Sequence, residues 1–279
     1  MSSRPNNKAV NEGDLTQTII EDADQTERKI RNWTLLGRVL VGVVLIVCWE
    51  LFTRINWIDA YYWSNPTTIL QTGWIALTEG ALLADLVYTS GATIIGFVLG
   101  IFIGALLGLS FWWSELYARI SEPYIIAFNA IPKLALAPVL VIMFGIGFSS
   151  KVILAFMMTV IVTALAAKSG VHAVDKDLEK LLFSLGATRR QVFAKVVIPS
   201  AMPWIVSSFK INIALALAGT IVGEFISSRQ GIGRMILYAG QTMDTDLVWV
   251  GVVVLSVLSI LMYLGTVGLE KMLLRGRPQ

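Results

Sequence analysis

Six stretches of this chain are apolar enough and long enough to cross about 30 Å of hydrocarbon. They run roughly from Leu35 to Phe52, Leu86 to Phe111, Tyr124 to Gly147, Val152 to Gly170, Pro203 to Gly223 and Leu247 to Leu269. Hydrophobic residues make up 56% of the chain and charged residues 15%, against about 25% charged in ordinary soluble domains. The pattern describes an all-α polytopic membrane protein with about six transmembrane helices. An even number of spans puts both termini on one side, and the basic residues choose it. Fourteen Lys and Arg residues between Arg28 and Arg277 flank the loops of one face, against Arg54, Lys151, Arg229 and Arg234 on the other. The positive-inside bias therefore places both termini in the cytoplasm, with the stretch from Lys168 to Lys195.

That stretch holds the most informative local pattern, a basic helix-Gly-helix unit. Leu178, Leu181, Leu182 and Leu185 fall at i, i+3, i+4 and i+7, which gives a helix one greasy face while Lys176, Glu179 and Lys180 stay wet. Gly186 supplies the residue that ends the helix. Thr188 with Gln191 three residues on reads as a capping box that starts a second helix, and Pro199 limits its length. Two short crossed helices joined at a glycine make a knob suited to docking at a membrane surface.

Elsewhere the chemistry is sparse. Residues 1–33 are a polar tail with a frayed helix expected near Leu15 to Ile30, and no cleavable signal is read, because the first apolar stretch begins late and runs too long. Asn56 to Asp85 is too polar to span. Its Trp57, Tyr61, Tyr62, Trp63 and Trp74 place it along the outer interface, with an interfacial helix from Pro66 to near Gly80. The single cysteine, Cys48, lies within the first span, so no intramolecular disulfide and no thiol-based metal site can be built. The single histidine, His172, has no carboxylate or second ligand near it in sequence. No motif for a serine nucleophile, a zinc protease or a phosphate-cradling loop is found. The chain is read as no enzyme, with no metal, no cofactor and no nucleic-acid partner of its own. Carboxylates or histidines clustered inside the spans, which a membrane enzyme would need, are not expected.

Packing signals are stronger. Ala92, Gly96, Gly100, Gly104 and Gly108 recur every four residues and lay a small-residue groove along the second span, either for an intrachain helix or for a subunit seam. Pro132 and Pro138 predict two kinks in the third span. Lys133 and Lys210 lie within spans, where a charge costs about 2.5 to 3.5 kcal/mol on insertion scales. Each either snorkels or pairs with another helix, or lines a pathway.

The stretch from Val171 to Pro203, with Ser184-Leu-Gly-Ala187 and Val197-Ile-Pro-Ser-Ala-Met-Pro203, resembles the cytoplasmic loop of binding-protein-dependent ABC importer permeases. Ala130-Ile-Pro-Lys-Leu-Ala-Leu-Ala-Pro138, Phe144-Gly-Ile-Gly147, Gly231-Ile-Gly233 and Asp244-Thr-Asp-Leu-Val248 add to the match. Together they resemble the nitrate/sulfonate/taurine branch, from about Leu35 to Leu274. The resemblance implies the type I importer transmembrane fold over residues 34–274, with a short cytoplasmic C-terminus at 275–279, in the bacterial inner membrane. It also implies a pair of permease subunits, here a homodimer, two ATP-hydrolysing subunits that carry ATP and Mg, and a periplasmic or surface-tethered binding protein that delivers a small anionic solute. Residues 171–203 then become the coupling loop, with Leu178, Glu179, Lys180, Leu181, Leu182, Ser184, Leu185, Gly186, Ala187 and Pro199 as its ATPase-coupling residues. One departure stands out: the family's Glu-Ala-Ala, six residues before the glycine, is replaced by Lys180, Leu181 and Leu182, with Glu179 one place earlier. An aromatic acid or pyrimidine-type precursor is the alternative solute, and a channel or scaffold homo-oligomer the alternative class.

Overall fold

The structure, a computed structural model, describes residues 33, 34 and 36–275. The polar tail apart from Trp33, with the frayed helix expected there, and the last four residues lie outside the described residues. Every regular element among the described residues is helical. The chain divides into two compact units, Met1–Thr67 and Thr68–Gln279.

In the first unit, α1 (Leu36–Arg54) is long enough, at 1.5 Å per residue, to cross about 28 Å. Its apolar side chains point outward nearly all round, with Val39, Leu40 and Leu45 all exposed, as a helix sheathed in lipid requires. Glu50 near its end accepts from Arg54 Nε at 2.6 Å and from both the backbone N–H and the hydroxyl of Thr67, at 3.1 and 2.8 Å. Asp59 caps the one-turn α2 (Ala60–Trp63) by accepting the Tyr61 N–H at 2.9 Å. The helix expected from Pro66 to near Gly80 is α3 (Pro66–Thr78), which from Thr68 on belongs to the second unit; Trp57, Tyr61, Tyr62 and Trp63 of the first unit and Trp74 of the second are all exposed.

The second unit is built on two long helices, α4 (Leu82–Ser110) and α7 (Phe148–His172), which form its most extensive helix pair. The glycine groove faces α7. A Cβ added at Gly96 would lie 2.7 Å from the Val152 carbonyl oxygen, at Gly100 2.8 Å from Thr159 Cβ, at Gly104 2.7 Å from Thr163 Cβ and at Gly108 3.0 Å from Lys168 N. The two backbones therefore sit closer than any side chain at these positions allows, which is how small residues hold helices together where lipid gives no hydrophobic drive. Helix α11 (Phe209–Ile226) lies against both. The core between them holds Phe97, Ala155, Ala201, Ile205, Phe209 and Ile213, with the Phe97 and Phe209 rings edge to face at 5.8 Å. Helix α13 (Thr245–Leu273) completes the set of long helices.

Two spans differ from expectation. The third is broken once, sharply: α5 (Glu115–Ala130) and α6 (Ala137–Phe144) meet at a 74° bend around a tight turn at Lys133–Leu136. Pro132 drives Ile131 into extended backbone. Pro138 lies in the first turn of α6, where its missing N–H costs nothing, so it makes no second kink. The fifth apolar stretch does not start at Pro203 but consists of α10 (Ile198–Ser207) and α11, parted at Ser208, whose hydroxyl donates to the Ile205 carbonyl at 2.6 Å.

Candidate coupling loop and buried polar sites

Between α7 and α10 lies the knob. Asp175 opens α8 (Lys176–Ser184) by accepting from the N–H groups of Asp177 and Leu178, at 2.8 and 3.4 Å. The helix ends as the glycine predicts. Gly186 has φ +83°, its N–H donates to the Phe183 carbonyl and that of Ala187 to the Leu182 carbonyl, both at 3.0 Å. These two bonds are the Schellman closure. Thr188 and Gln191 form the capping box, Gln191 accepting the Thr188 N–H at 2.8 Å, and start α9 (Arg189–Val192). Pro199, expected to limit that helix, does not end it: the helix runs on through the proline. One widened turn, Phe193–Val197, precedes the proline and leads directly into α10. The proline has no N–H to give the preceding turn, and a π-type turn is a usual way to absorb that loss.

The greasy face is not one face. Leu178, Leu181 and Leu185 are exposed, Leu185 by 74%, and with Phe183 they make an apolar ridge in solvent. Leu182 turns inward with Ala187 and packs on Val174, Val192, Val196 and Val197. Glu179 turns inward too, rather than staying wet: it is half-buried and its Oε1 accepts the Trp112 Nε1–H at 2.9 Å. A nine-residue helix lying on other elements has an inner side, and Glu179 shares that side with Leu182. Lys180 stays exposed, 2.9 Å from Asp177, and Ser184 donates to the Lys180 carbonyl at 2.9 Å. Arg189 sits over the Trp112 and Trp113 rings, at 5.6 and 5.9 Å, and donates to the Trp113 carbonyl at 3.2 Å. Trp112 and Trp113 belong to the tight turn that ends α4, so the loop is anchored on α4 as well as on its own flanking helices.

The two lysines have separate environments. Lys210 pairs with Glu270 of α13 at 2.6 Å, so its charge is met by a neighbouring helix. Lys133 donates to the Asn129 carbonyl in the last turn of α5, at 3.0 Å, and lines a cavity of about 170 Å³ with Phe128, Ile131, Met157, Val160 and Ile161. A second cavity, about 240 Å³, lies between α11 and α13 beside Ile213, Leu217, Ser259 and Tyr263. His172 is exposed at the end of α7 and Cys48 is half-buried. Among the described residues no three His, Cys, Asp or Glu side chains are grouped to hold a metal ion.

At the end of the bundle away from the knob, the structure assembles charged groups that sequence reasoning missed. Glu224 of α11 is fully buried; it accepts from the Thr89 hydroxyl at 2.8 Å and from the Gly233 N–H at 2.7 Å. Asp85, also buried, accepts the Gly231 N–H at 2.6 Å. Lys151, placed in a loop by the span reading, is instead fully buried within the first turn of α7. It donates to the Ile146 carbonyl at 2.8 Å and to the Ser227 carbonyl at the end of α11. The expectation that spans hold no clustered carboxylates is thereby corrected. Glu224 was legible as a lone carboxylate inside an apolar run, seven residues before Gly231-Ile-Gly233, and a charge so placed is by default functional or structural.

Comparison with known proteins agrees with this architecture. Residues 96–275 match the family described as binding-protein-dependent transport system inner membrane component. The formylaminopyrimidine transport permease protein ThiX of Halalkalibacterium halodurans is 30% identical over 249 residues, covering 89% of this chain and 99% of that one. The taurine transport system permease protein TauC of Escherichia coli is 28% identical over 264 residues, covering 91% and 96%. A solved structure of the MetNI methionine ABC transporter, in an inward-facing conformation, superposes with a TM-score of 0.61 at 18% identity, covering 68% of this chain and 95% of that one. The fold is thus that of type I ABC importer membrane subunits, and the chain belongs to the family of binding-protein-dependent transport system inner membrane components, the permeases of ABC importers.

Proposed function

We propose that residues 34–274 form one half of a homodimeric importer, that its knob docks on a pair of ATP-hydrolysing subunits, and that ATP-driven closure of those subunits turns the bundle to release a small solute into the cell. The observation that carries this reading is the exposed ridge of Leu178, Leu181 and Leu185 on an element that closes its own backbone bonds at Gly186. An apolar ridge in a segment too polar to enter lipid needs a protein to cover it. ATP and Mg belong to the covering subunits, and the solute reaches the bundle from a separate binding protein. Motion of the knob rotates the helices around a site between the two permeases, the alternating-access scheme.

The solute is read as a small anion of the sulfonate or taurine type, on the strength of TauC and of the Bacillus subtilis putative aliphatic sulfonates transport permease protein SsuC, 26% identical over 250 residues. The pyrimidine-type alternative is favoured by ThiX. Lys210 lends the anion little support, because Glu270 meets its charge; Lys133 is the remaining pathway cation.

Orientation and docking have direct tests. With the knob and both termini in the cytoplasm, cysteines at Lys176 and Arg275 react only with membrane-permeant reagents, and one at Asn65 reacts with impermeant ones. Leu181→Glu places a charge on the ridge and releases the ATPase on copurification, while the permease itself still inserts. Labelling of position 176 from outside intact cells, or full ATPase retention by the Leu181→Glu chain, overturns the respective part. Mass spectrometry of the ligand carried by the copurified binding protein separates a sulfonate from a pyrimidine.

A further inference from the structure

Helix α4 holds the knob at one end and the start of another helix at the other. At the knob end, the turn that closes α4 gives the Trp112 N–H to Glu179 and stacks Trp112 and Trp113 beside Arg189. At the far end, Asp85 and Thr89, one turn apart on α4, reach α12 (Ile232–Gln241). The first amides of any helix lack partners within it, and the residue that precedes α12, Gly231, has no side chain to offer them. The cap comes from elsewhere: Asp85 accepts the Gly231 N–H, Thr89 Oγ1 accepts the Ile232 N–H at 2.9 Å, and Glu224 accepts the Gly233 N–H. The Thr89 hydroxyl in turn donates a hydrogen bond to Glu224, so α4 and α11 grip α12 as one unit. Gly231 and Gly233 leave room for that grip. A Cβ on Gly233 would lie 2.9 Å from the Glu224 Cβ, and one on Gly231 would strike the Glu224 carboxyl.

Between its ends α4 runs 29 residues without a proline, about 43 Å at 1.5 Å per residue. Its glycines are pressed on α7, so it cannot slide along α7 without breaking those contacts. We propose that α4 is a rod that transmits displacement of the knob to α12, with Trp112 as the near grip and Asp85 and Thr89 as the far one. The proposal rests on the coupling role of the knob argued above, and it makes Trp112, Asp85 and Thr89 positioning residues. Helix α12 is suited to receive the motion, because Arg234, Leu237, Tyr238 and Gln241 form an exposed stripe opposite its buried grip. An interposed element counts as a coupling path only where breaking it breaks the coupling.

The experiment uses the permease with its ATPase and binding protein in lipid nanodiscs, spin-labelled at Tyr238→Cys in a Cys48→Ser background. Label mobility is read without nucleotide and with ATP trapped by vanadate. Thr89→Val keeps the shape of the side chain and removes both of its bonds to the cap; Thr89→Ser restores the hydroxyl. Trp112→Phe keeps a ring and removes the N–H. The expected result is an ATP-dependent mobility change in the unmutated grip and in Thr89→Ser. That change is lost in Thr89→Val and in Trp112→Phe while the ATPase still copurifies, and the double variant is no worse than either single one, since both break the same line. A full-sized change in Thr89→Val and Trp112→Phe overturns the rod and leaves the coupling role standing, as does an unresponsive label in the unmutated transporter. An unmutated permease that holds no ATPase overturns both.

Discussion

Two glycines with positive φ end up in opposite surroundings. Gly186, at the tip of the knob, has φ +83° and open space where a Cβ would stand; Gly231, at the start of α12, has φ +114° and the Glu224 carboxyl in that space. Around Gly186 the polar groups are satisfied locally and the apolar groups are left outside. Around Gly231 the polar groups are satisfied by α4, far away in sequence, and by α11, the helix just before. The first arrangement fits a surface made for another protein, the second a joint made for this chain alone. Substitutions at the two ends should therefore differ in what they cost the fold: those at the knob leave it standing, while those that crowd or orphan the buried groups of the joint destabilise it.

The sharpest break of that comparison is Gly231→Val. It combines a positive φ on a β-branched residue with overlap onto a buried carboxylate, and the cost expected is about 3 to 5 kcal/mol. The measurement is recovery of detergent-stable protein and its melting temperature; a Gly231→Val chain that purifies and melts as the unmutated protein does would mean the joint is loose. Glu224→Ala follows. It leaves the Thr89 hydroxyl and the Gly233 amide buried without an acceptor, a loss of at least about 2 kcal/mol at about 1 to 3 kcal/mol per orphaned group. Glu224→Gln keeps a carbonyl oxygen for Gly233 and should lie nearer the unmutated protein.

Gly186→Ala stands lower on the same scale, at about 1 kcal/mol, because only the backbone conformation resists it. The variant should insert and purify. Gly186→Val should also survive purification yet weaken ATPase copurification or separate hydrolysis from uptake. Unimpaired uptake by a stably expressed Gly186→Val permease would show that the knob is not the coupling element.

The same contrast explains what was legible in the sequence. The end of α8 and the start of α9 were readable because their closing bonds lie within three to five residues: Gly186 on Phe183, Ala187 on Leu182, Thr188 on Gln191. The spans were readable because lipid imposes length and apolarity on each alone. The glycine groove announced a close helix neighbour, though only the structure names α7. Most of the joint was not readable, since three of its four bonds cross 135, 143 and 146 residues, only the one from Gly233 to Glu224 spans nine, and helical period says nothing of which faces meet. Glu179 and Lys180 show the limit within one helix. Composition makes both wet, yet Trp112, from another part of the chain, takes one of them inward. The unbroken passage from α9 into α10 was hidden for a related reason. A proline reads locally as a stop, and a widened turn before it depends on what the helix packs against next.

The smallest effect is expected where the two kinds of site meet, at Lys210 and Glu270. Both side chains are partly shielded, 37% and 17% exposed, and lie 2.6 Å apart, so the pair belongs to this chain as the joint does, but with solvent still in reach. If Lys210 served to attract an anionic solute, removing its charge would impair uptake whatever Glu270 became. If it serves to neutralise Glu270, Lys210→Met should harm the protein by leaving that carboxylate alone, and Lys210→Met with Glu270→Gln should restore it. We expect the second outcome: a modest loss of uptake and of thermal stability in Lys210→Met, recovered in the double variant, with Lys210→Arg close to the unmutated protein. The couple is read as a double-mutant cycle in both uptake and melting temperature. Recovery of stability without recovery of uptake would return Lys210 to the solute pathway, and with it the argument from charge for an anion.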